Sequence, residues 1–332
     1  MLLFKEHKPI EDGVISSTQS RTAILSQIGP LQQLGSCAFI PYHNHVNPES
    51  ISSSTTTTST SQTLNDCLKI HNTSSWTYSG PLLPGNSTSL PPSFHAWSAV
   101  TLSSPSQLLS RLLPLLSFLE SFLRQTGVEC YWLTIRASTP TTDYNEPRWH
   151  VDDDFFASDF DGRAMQADDT PTSSRTKAND ICSGKRWKLC TTLLGPSTLF
   201  AADNESALQI VNSTKAQHRK TNQHTCTSIR CLGCATYASC VRTSLARSLR
   251  NHTTTSPAPN EVAFFRLGSD HGAVHSEPKC DVDRIFVNVV PGTEGELRGL
   301  LGKWGMGWPR AWCVRDGGFG IRSDEAESFG KR

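Results

Sequence analysis

The sequence predicts a mainly β fold with flanking helices, a sandwich or barrel forming one domain and braced by a helix on its N-terminal side. Three observations carry this. Seven short β-like runs separated by turn residues fill the chain from Glu129 to Val290. One strong helical stripe precedes them. Hydrophobic residues make up 36% and charged residues 18% of the 332-residue chain, both below ordinary globular usage, and the shortfall is concentrated in local Ser/Thr tracts. The remainder, about 170–200 residues, is enough for one core.

Residues 1–61 have little periodicity and end in the polar run Ser52–Ser61, so this segment is expected to be disordered or irregular. The domain is expected over 62–315. Residues 62–100 scatter Trp76, Tyr78, Phe94 and Trp97 among Pro and Gly, which suggests irregular structure against a core. From Ser106 to Gln125, the positions Leu108, Leu109, Leu112, Leu115, Leu116, Leu119, Phe122 and Leu123 form a helical stripe stopped by Gly127. Pro114 is expected to kink or divide it.

The β-like runs are Glu129–Ala137, Trp149–Phe155, Arg186–Leu194, Ala207–Val211, Glu261–Leu267, Ala273–Ser276 and Arg284–Val290. Pro140, Pro147, Gly195-Pro196, Gly268, Gly272 and Pro291-Gly292 punctuate them, as in a sandwich or barrel. Residues 157–184 read as a surface loop. The Cys-rich stretch 213–259 reads as a disordered insert, and 316–332 as a frayed tail. Trp304, Trp308 and Trp312, set among glycines, read as closing one end of the barrel, with a substrate-facing lip as the other reading.

The most informative segment is Arg148-Trp149-His150-Val151-Asp152-Asp153-Asp154-Phe155. On a strand His150 and Asp152 point to the same side one pleat apart, so an imidazole nitrogen and a carboxylate oxygen there can occupy adjacent corners of one metal. His275, at the end of a short apolar run, is the candidate third ligand, completing a two-His-one-carboxylate set with open positions. Asp153 and Asp154 read as surface carboxylates, or Asp154 as a neighbour that tunes the site. Arg284, opening the next strong run, is suited to pairing bidentately with a dicarboxylate. The bland reading is that these His and Asp residues are structural and the protein is a non-catalytic β-sandwich that binds a ligand.

Several segments taken in order resemble a known family. They are Trp149-His150-Val151-Asp152, Trp187-Lys188-Leu189-Cys190-Thr191-Thr192 with Gly195-Pro196-Ser197-Thr198, Glu261–Gly268, and Ala273-Val274-His275-Ser276. Together they look like an uncharacterised microbial family and, more broadly, are similar to the double-stranded β-helix, or jelly roll, of Fe(II)/2-oxoglutarate-dependent dioxygenases and cupins. The resemblance covers about residues 128–200 and 260–292. It implies His150, Asp152 and His275 as iron ligands, Arg284 as the binder of the 2-oxoglutarate distal carboxylate, O2 as co-reactant, and a hydroxylase or demethylase reaction. Such oxygenases often place a small hydroxyl residue two positions after that Arg, where this chain has Phe286. A cupin-like metal enzyme without 2-oxoglutarate is the alternative.

Cys226, Cys231, Cys234 and Cys240 form a thiol cluster just after His224, for which tetrahedral zinc is one reading and a poorly ordered insert the other. Eleven cysteines without a regular framework favour a reducing compartment. With no apolar run of about 20 residues and no hydrophobic signal region, the expected location is cytoplasmic or nuclear, without membrane contact. A formal charge of +1 argues against general nucleic-acid binding.

Overall fold

A computed structural model describes residues 35–42, 68–153, 155–156, 187–224, 226 and 231–315. The expectations for Ser52–Ser61, for the 157–184 loop, for Asp154 and for the 316–332 tail lie outside the described residues. The fold is mainly β, as expected: two antiparallel sheets and five α-helices account for its regular structure among the described residues.

The large sheet has seven strands. In chain order these are β1 (Cys37–Pro41), β2 (Ser74–Pro81), β3 (Cys130–Ser138), β4 (Trp187–Leu194), β7 (Glu261–Arg266), β9 (Arg284–Gly292) and β10 (Arg310–Arg315). Their spatial order is β1-β7-β4-β9-β3-β2-β10. The small sheet holds β5 (Leu199–Ala201), β6 (Thr254–Thr255) and β8 (His275–Ser276) in the order β6-β5-β8.

Alternation along the strands sorts the large sheet into two faces. One face carries Trp76 and Phe264. It packs against α1 (Pro92–Thr101), where Phe94 meets Trp76 edge-on at 5.2 Å, and α2 (Pro105–Gln125), where Phe122 meets Phe264 at 5.5 Å. Most of the stripe read from the sequence is the buried face of α2: Leu108, Leu112, Leu115, Leu116, Leu119, Phe122 and Leu123 are buried, while Leu109 is half-buried. Pro105 sits in the first turn, where its missing N–H costs nothing. Pro114 lies within the helix without dividing it.

The other face carries Cys190, Ala263, Phe265 and Phe286, which form one cluster with Phe200 and Ala273 from the small-sheet side. The two sheets therefore meet over this cluster, and the outer face of the small sheet is covered by a helical hairpin. That hairpin is α3 (Asn204–Thr221) and α4 (Leu232–Ser248). Its Ala207, Val211, Val241 and Leu245 pack with Trp149, Val151, Ala201 and Val274. The fifth helix, α5 (Glu294–Gly302), starts with a capping box between Thr293 and Glu296 and packs on β2 and β3.

Several expectations need correcting. The stretch 213–259, expected to be disordered, is mostly α3 and α4. The run Ala207–Val211, expected as a strand, lies in α3, capped by Asp203, whose side chain accepts from the Ser206 N–H at 3.1 Å. Among the described residues of the run Trp149–Phe155, pairing is limited to one bridge at His150, with His275. Residues 62–100, expected to be irregular, contain β2 and α1, and the N-terminal segment supplies β1 at the sheet edge. Of the late tryptophans, Trp312 lies on β10 against Trp132, while Trp304 is exposed.

Candidate metal centre

The site is built by one backbone bridge and one alternation. His150 and His275 exchange both backbone hydrogen bonds, at 2.9 and 3.0 Å, so their side chains emerge together and their rings sit 4.3 Å apart. In the 149–152 segment, Trp149 and Val151 turn outward to the hairpin cluster. His150 and Asp152 take the opposite side and meet His275. The apolar residues that anchor this segment thus alternate with the residues that carry its chemistry.

The three side chains converge. His150 Nε2 is 3.6 Å from one Asp152 carboxylate oxygen and His275 Nε2 is 3.5 Å from the other. One ligand atom from each residue lies within 4.8 Å of the others. The Nδ1 atoms are tied to the backbone, His150 to the Arg148 carbonyl at 2.7 Å and His275 to the Ala273 carbonyl at 2.9 Å. A protonated Nδ1 donating to a carbonyl leaves the Nε2 lone pair free to face the centre, the usual second-shell arrangement of a histidine metal ligand.

Charge states fit the same use. Burial pushes the His275 imidazolium down to about 4, helped by neighbouring His150, so His275 is a neutral donor at ordinary pH. Burial pushes the Asp152 carboxyl up, but the Lys188 ammonium and the two imidazoles outweigh it and hold the group below the usual carboxylate range. Lys188, on β4, reaches Asp152 Oδ2 at 2.6 Å.

The frame around the triad is tight. Asn204, the first residue of α3, accepts from the Val274 N–H at 2.7 Å and donates to the Gly272 carbonyl at 3.1 Å, tying the hairpin to the segment that leads into β8. The Gly268 N–H donates to the Asp152 carbonyl at 2.8 Å. A Cβ on Gly272 would collide with Val151 and with the Gly268 carbonyl, so only glycine fits there. The centre is shielded on one side, where Phe200 and Phe265 lie against the His275 ring at 5.6 and 5.0 Å. It is open on the other, where the His150 side chain is 38% exposed against 7% for His275.

Arg284 lies on the same strand face as Phe286, whose ring sits 4.6 Å from its guanidinium. It is 5% exposed. Its Nε donates to the Pro196 carbonyl at 2.9 Å and its Nη2 to Thr198 Oγ1 at 3.4 Å. Among the described residues no carboxylate forms an ion pair with it. Thr192 Oγ1 and Asn288 Oδ1, from the neighbouring strands β4 and β9, are buried without a hydrogen-bond partner. A buried cation and orphaned polar atoms are costly unless a ligand completes them.

The structure thus brings His150, Asp152 and His275 together and buries Arg284. Sequence reasoning passed over Lys188 and Thr198; an inward lysine on a strand covered on both faces was the available signal for the first. In the hairpin, Cys226, Cys231 and Cys234 gather as expected, but the fourth member is His224 and not Cys240. Cys240 lies six residues beyond Cys234 on α4, about 9 Å along the axis. No family model matches this chain, and no curated protein and no solved structure matches it either.

Proposed function

We propose that this chain is a non-haem oxygenase that uses Fe(II) and 2-oxoglutarate, built on a double-stranded β-helix. The observation that carries the reading is the convergence of two imidazoles and one carboxylate on a common point, with both Nδ1 atoms tied back. That donor set, with positions left open, suits Fe(II).

The winding of the chain supports the fold. Eight successive segments are β3, the His150 bridge, β4, β5, β6, β7, β8 and β9. They pair first with last, second with seventh, third with sixth and fourth with fifth. The ribbon then closes on itself through β4 with β9 and β5 with β8. A long hairpin rolled up in this way is a jelly roll. The α3–α4 hairpin enters between β5 and β6 and accounts for the long separation between Asp152 and His275 without disturbing the roll.

Fe(II) held at the triad would supply oxidative decarboxylation of 2-oxoglutarate by O2, coupled to hydroxylation or oxidative demethylation of a substrate C–H bond. The chain's own residues do the rest. His150 and His275 offer Nε2, and Asp152 offers an ionised oxygen. Arg284 pairs with the distal carboxylate of 2-oxoglutarate. The hydroxyl that Phe286 does not provide comes from Thr198, already at the guanidinium. Phe200 and Phe265 keep water from the His275 side, and the exposed His150 side admits substrate.

Anaerobic titration of the full chain with Fe(II) and 2-oxoglutarate tests this by the weak visible charge-transfer band of the chelate. The wild type should develop the band and His150→Ala should lose it. Arg284→Met should retain Fe(II) but weaken 2-oxoglutarate binding roughly tenfold or more, from loss of a charge-assisted bidentate pair. A band unchanged by His150→Ala would overturn the assignment. Fe(II) binding that never responds to 2-oxoglutarate would favour the cupin-like alternative instead.

A further inference from the structure

We propose that His224, Cys226, Cys231 and Cys234 form a second metal centre, a structural zinc site that clips the two helices of the hairpin together. It stands independently of the iron reading, on different residues and different chemistry.

The four ligand atoms lie close enough together to serve a tetrahedral ion. One ligand atom from each of the four residues lies within 4.8 Å of the others. His224 Nε2 is 3.2 Å from Cys234 Sγ, which is 3.5 Å from Cys226 Sγ. Zinc bonds of about 2.3 Å to sulfur and about 2.0 Å to nitrogen place tetrahedral ligand atoms roughly 3.5–3.8 Å apart, so closing onto the ion needs shifts of about 1 Å or less. His224 Nδ1 is hydrogen-bonded to the Asn222 carbonyl at 3.0 Å, which turns Nε2 toward the sulfurs.

The sequence supplies this arrangement economically. His224-x-Cys226 follows the end of α3, and Cys231-x2-Cys234 spans the start of α4, with Cys231 as its N-cap residue. Gly233 has a specific part. A Cβ there would lie 2.6 Å from His224 Cγ and Cδ2, so the imidazole can lie against the first turn of α4 only because that position has no side chain.

A clip at this end has a definite task. α3 and α4 meet through His218 Nε2 and Ser244 Oγ at 2.8 Å and through Tyr237, whose hydroxyl donates to the Lys215 carbonyl at 3.4 Å. The helices share a small apolar face, where only Ala207, Val211 and Thr214 of α3 and Val241 and Leu245 of α4 are buried. Zinc binding free energy is folding free energy for so lightly packed a unit.

The test uses the full chain, reduced and stripped of metal, titrated with Co(II) and then with Zn(II). The wild type should show the intense visible bands of tetrahedral, thiolate-bound cobalt, and zinc should abolish them. Cys231→Ser and Cys234→Ser should lose the bands, and Gly233→Ala should weaken cobalt binding roughly 10–100-fold by displacing the His224 ring. Cys240→Ser and His150→Ala should keep them, which separates this site from the triad and from the four-cysteine set. The proposal is overturned if the wild type gives no thiolate-to-cobalt band, if Cys240→Ser removes it, or if the thiols titrate as a disulfide in metal-free protein.

Discussion

A lysine on a strand covered on both faces is costly unless it meets an anion, and Lys188 meets Asp152 at 2.6 Å. In metal-free protein this ammonium occupies the electrostatic role that a bound cation would take over. Lys188→Met should therefore cost about 3 kcal/mol without metal, because it leaves a buried carboxylate unpaired. Adding Fe(II) or Mn(II) anaerobically should restore more melting temperature to the variant than to the wild type. An equal loss with and without metal would show that the lysine acts only through packing. His275 adds a pH dependence to the metal-free protein. Its folded pKa is about 4 against 6.5 for a free imidazole, so the unfolded chain binds the extra proton between those values. Stability is then greatest above pH 6.5 and falls as pH drops toward 4, by an amount on the order of 3 kcal/mol. Denaturant melts at pH 7.5 and 5 should show this, and His275→Gln should flatten it. At this scale the placing of His150 and Asp152 on one side was legible, because they are two apart and parity along an extended segment suffices. Lys188 belongs to another strand, and only the sheet pairing reveals what it faces.

Among the elements, the least legible were those whose identity depends on partners. Two-residue β8 and three-residue β5 carry no periodicity of their own and exist as strands because they pair with each other and with the His150 segment. Ala207–Val211 is too short an apolar run to separate strand from helix, and the deciding signal was the cap at Asp203. In β2 the alternation of Trp76 and Tyr78, stacked at 6.1 Å on one face, was present in the sequence but obscured by the flanking Pro and Gly. α2 was read almost to the residue, since a two-sided helix packed on a sheet leaves a long periodic record. The turn at Gly272 offers a test at this scale. Gly272→Ala should push Val151, and with it Asp152, away from the bridge. Metal affinity should fall roughly 10–100-fold, as for other losses of ligand orientation. Mn(II) titration read by the paramagnetic signal would measure it, and an unchanged affinity would show that the 149–152 segment is not braced from this turn.

At the largest scale, the layering of the described residues runs from α1 and α2, through the large and small sheets, to the α3–α4 hairpin. The two outer layers should respond differently to damage. Leu116, fully buried in α2, should cost about 3 kcal/mol when replaced by alanine, equally with and without metal, because the triad lies on the far side of the large sheet. Leu245→Asp should instead spare the strand signal in circular dichroism while impairing metal binding, because Leu245 packs with Trp149 and Val151 beside the ligands. If both variants lost metal affinity in proportion to their stability, the layers would not be separable. The mainly β class followed from turn-punctuated runs. The order in which strands alternate between the sheets did not, because no local pattern records which distant segment a strand will pair with.

The unequal exposure of the two imidazoles gives the centre a front and a back. A reactant of the proposed oxygenase would meet His150 first, while His275 lies behind the rings of Phe200 and Phe265. A substrate of the proposed oxygenase would present its target atom from the His150 side. A protruding group on a larger molecule can do so as readily as a small compound, and recognition would then depend on the surface around the doorway more than on an enclosing pocket.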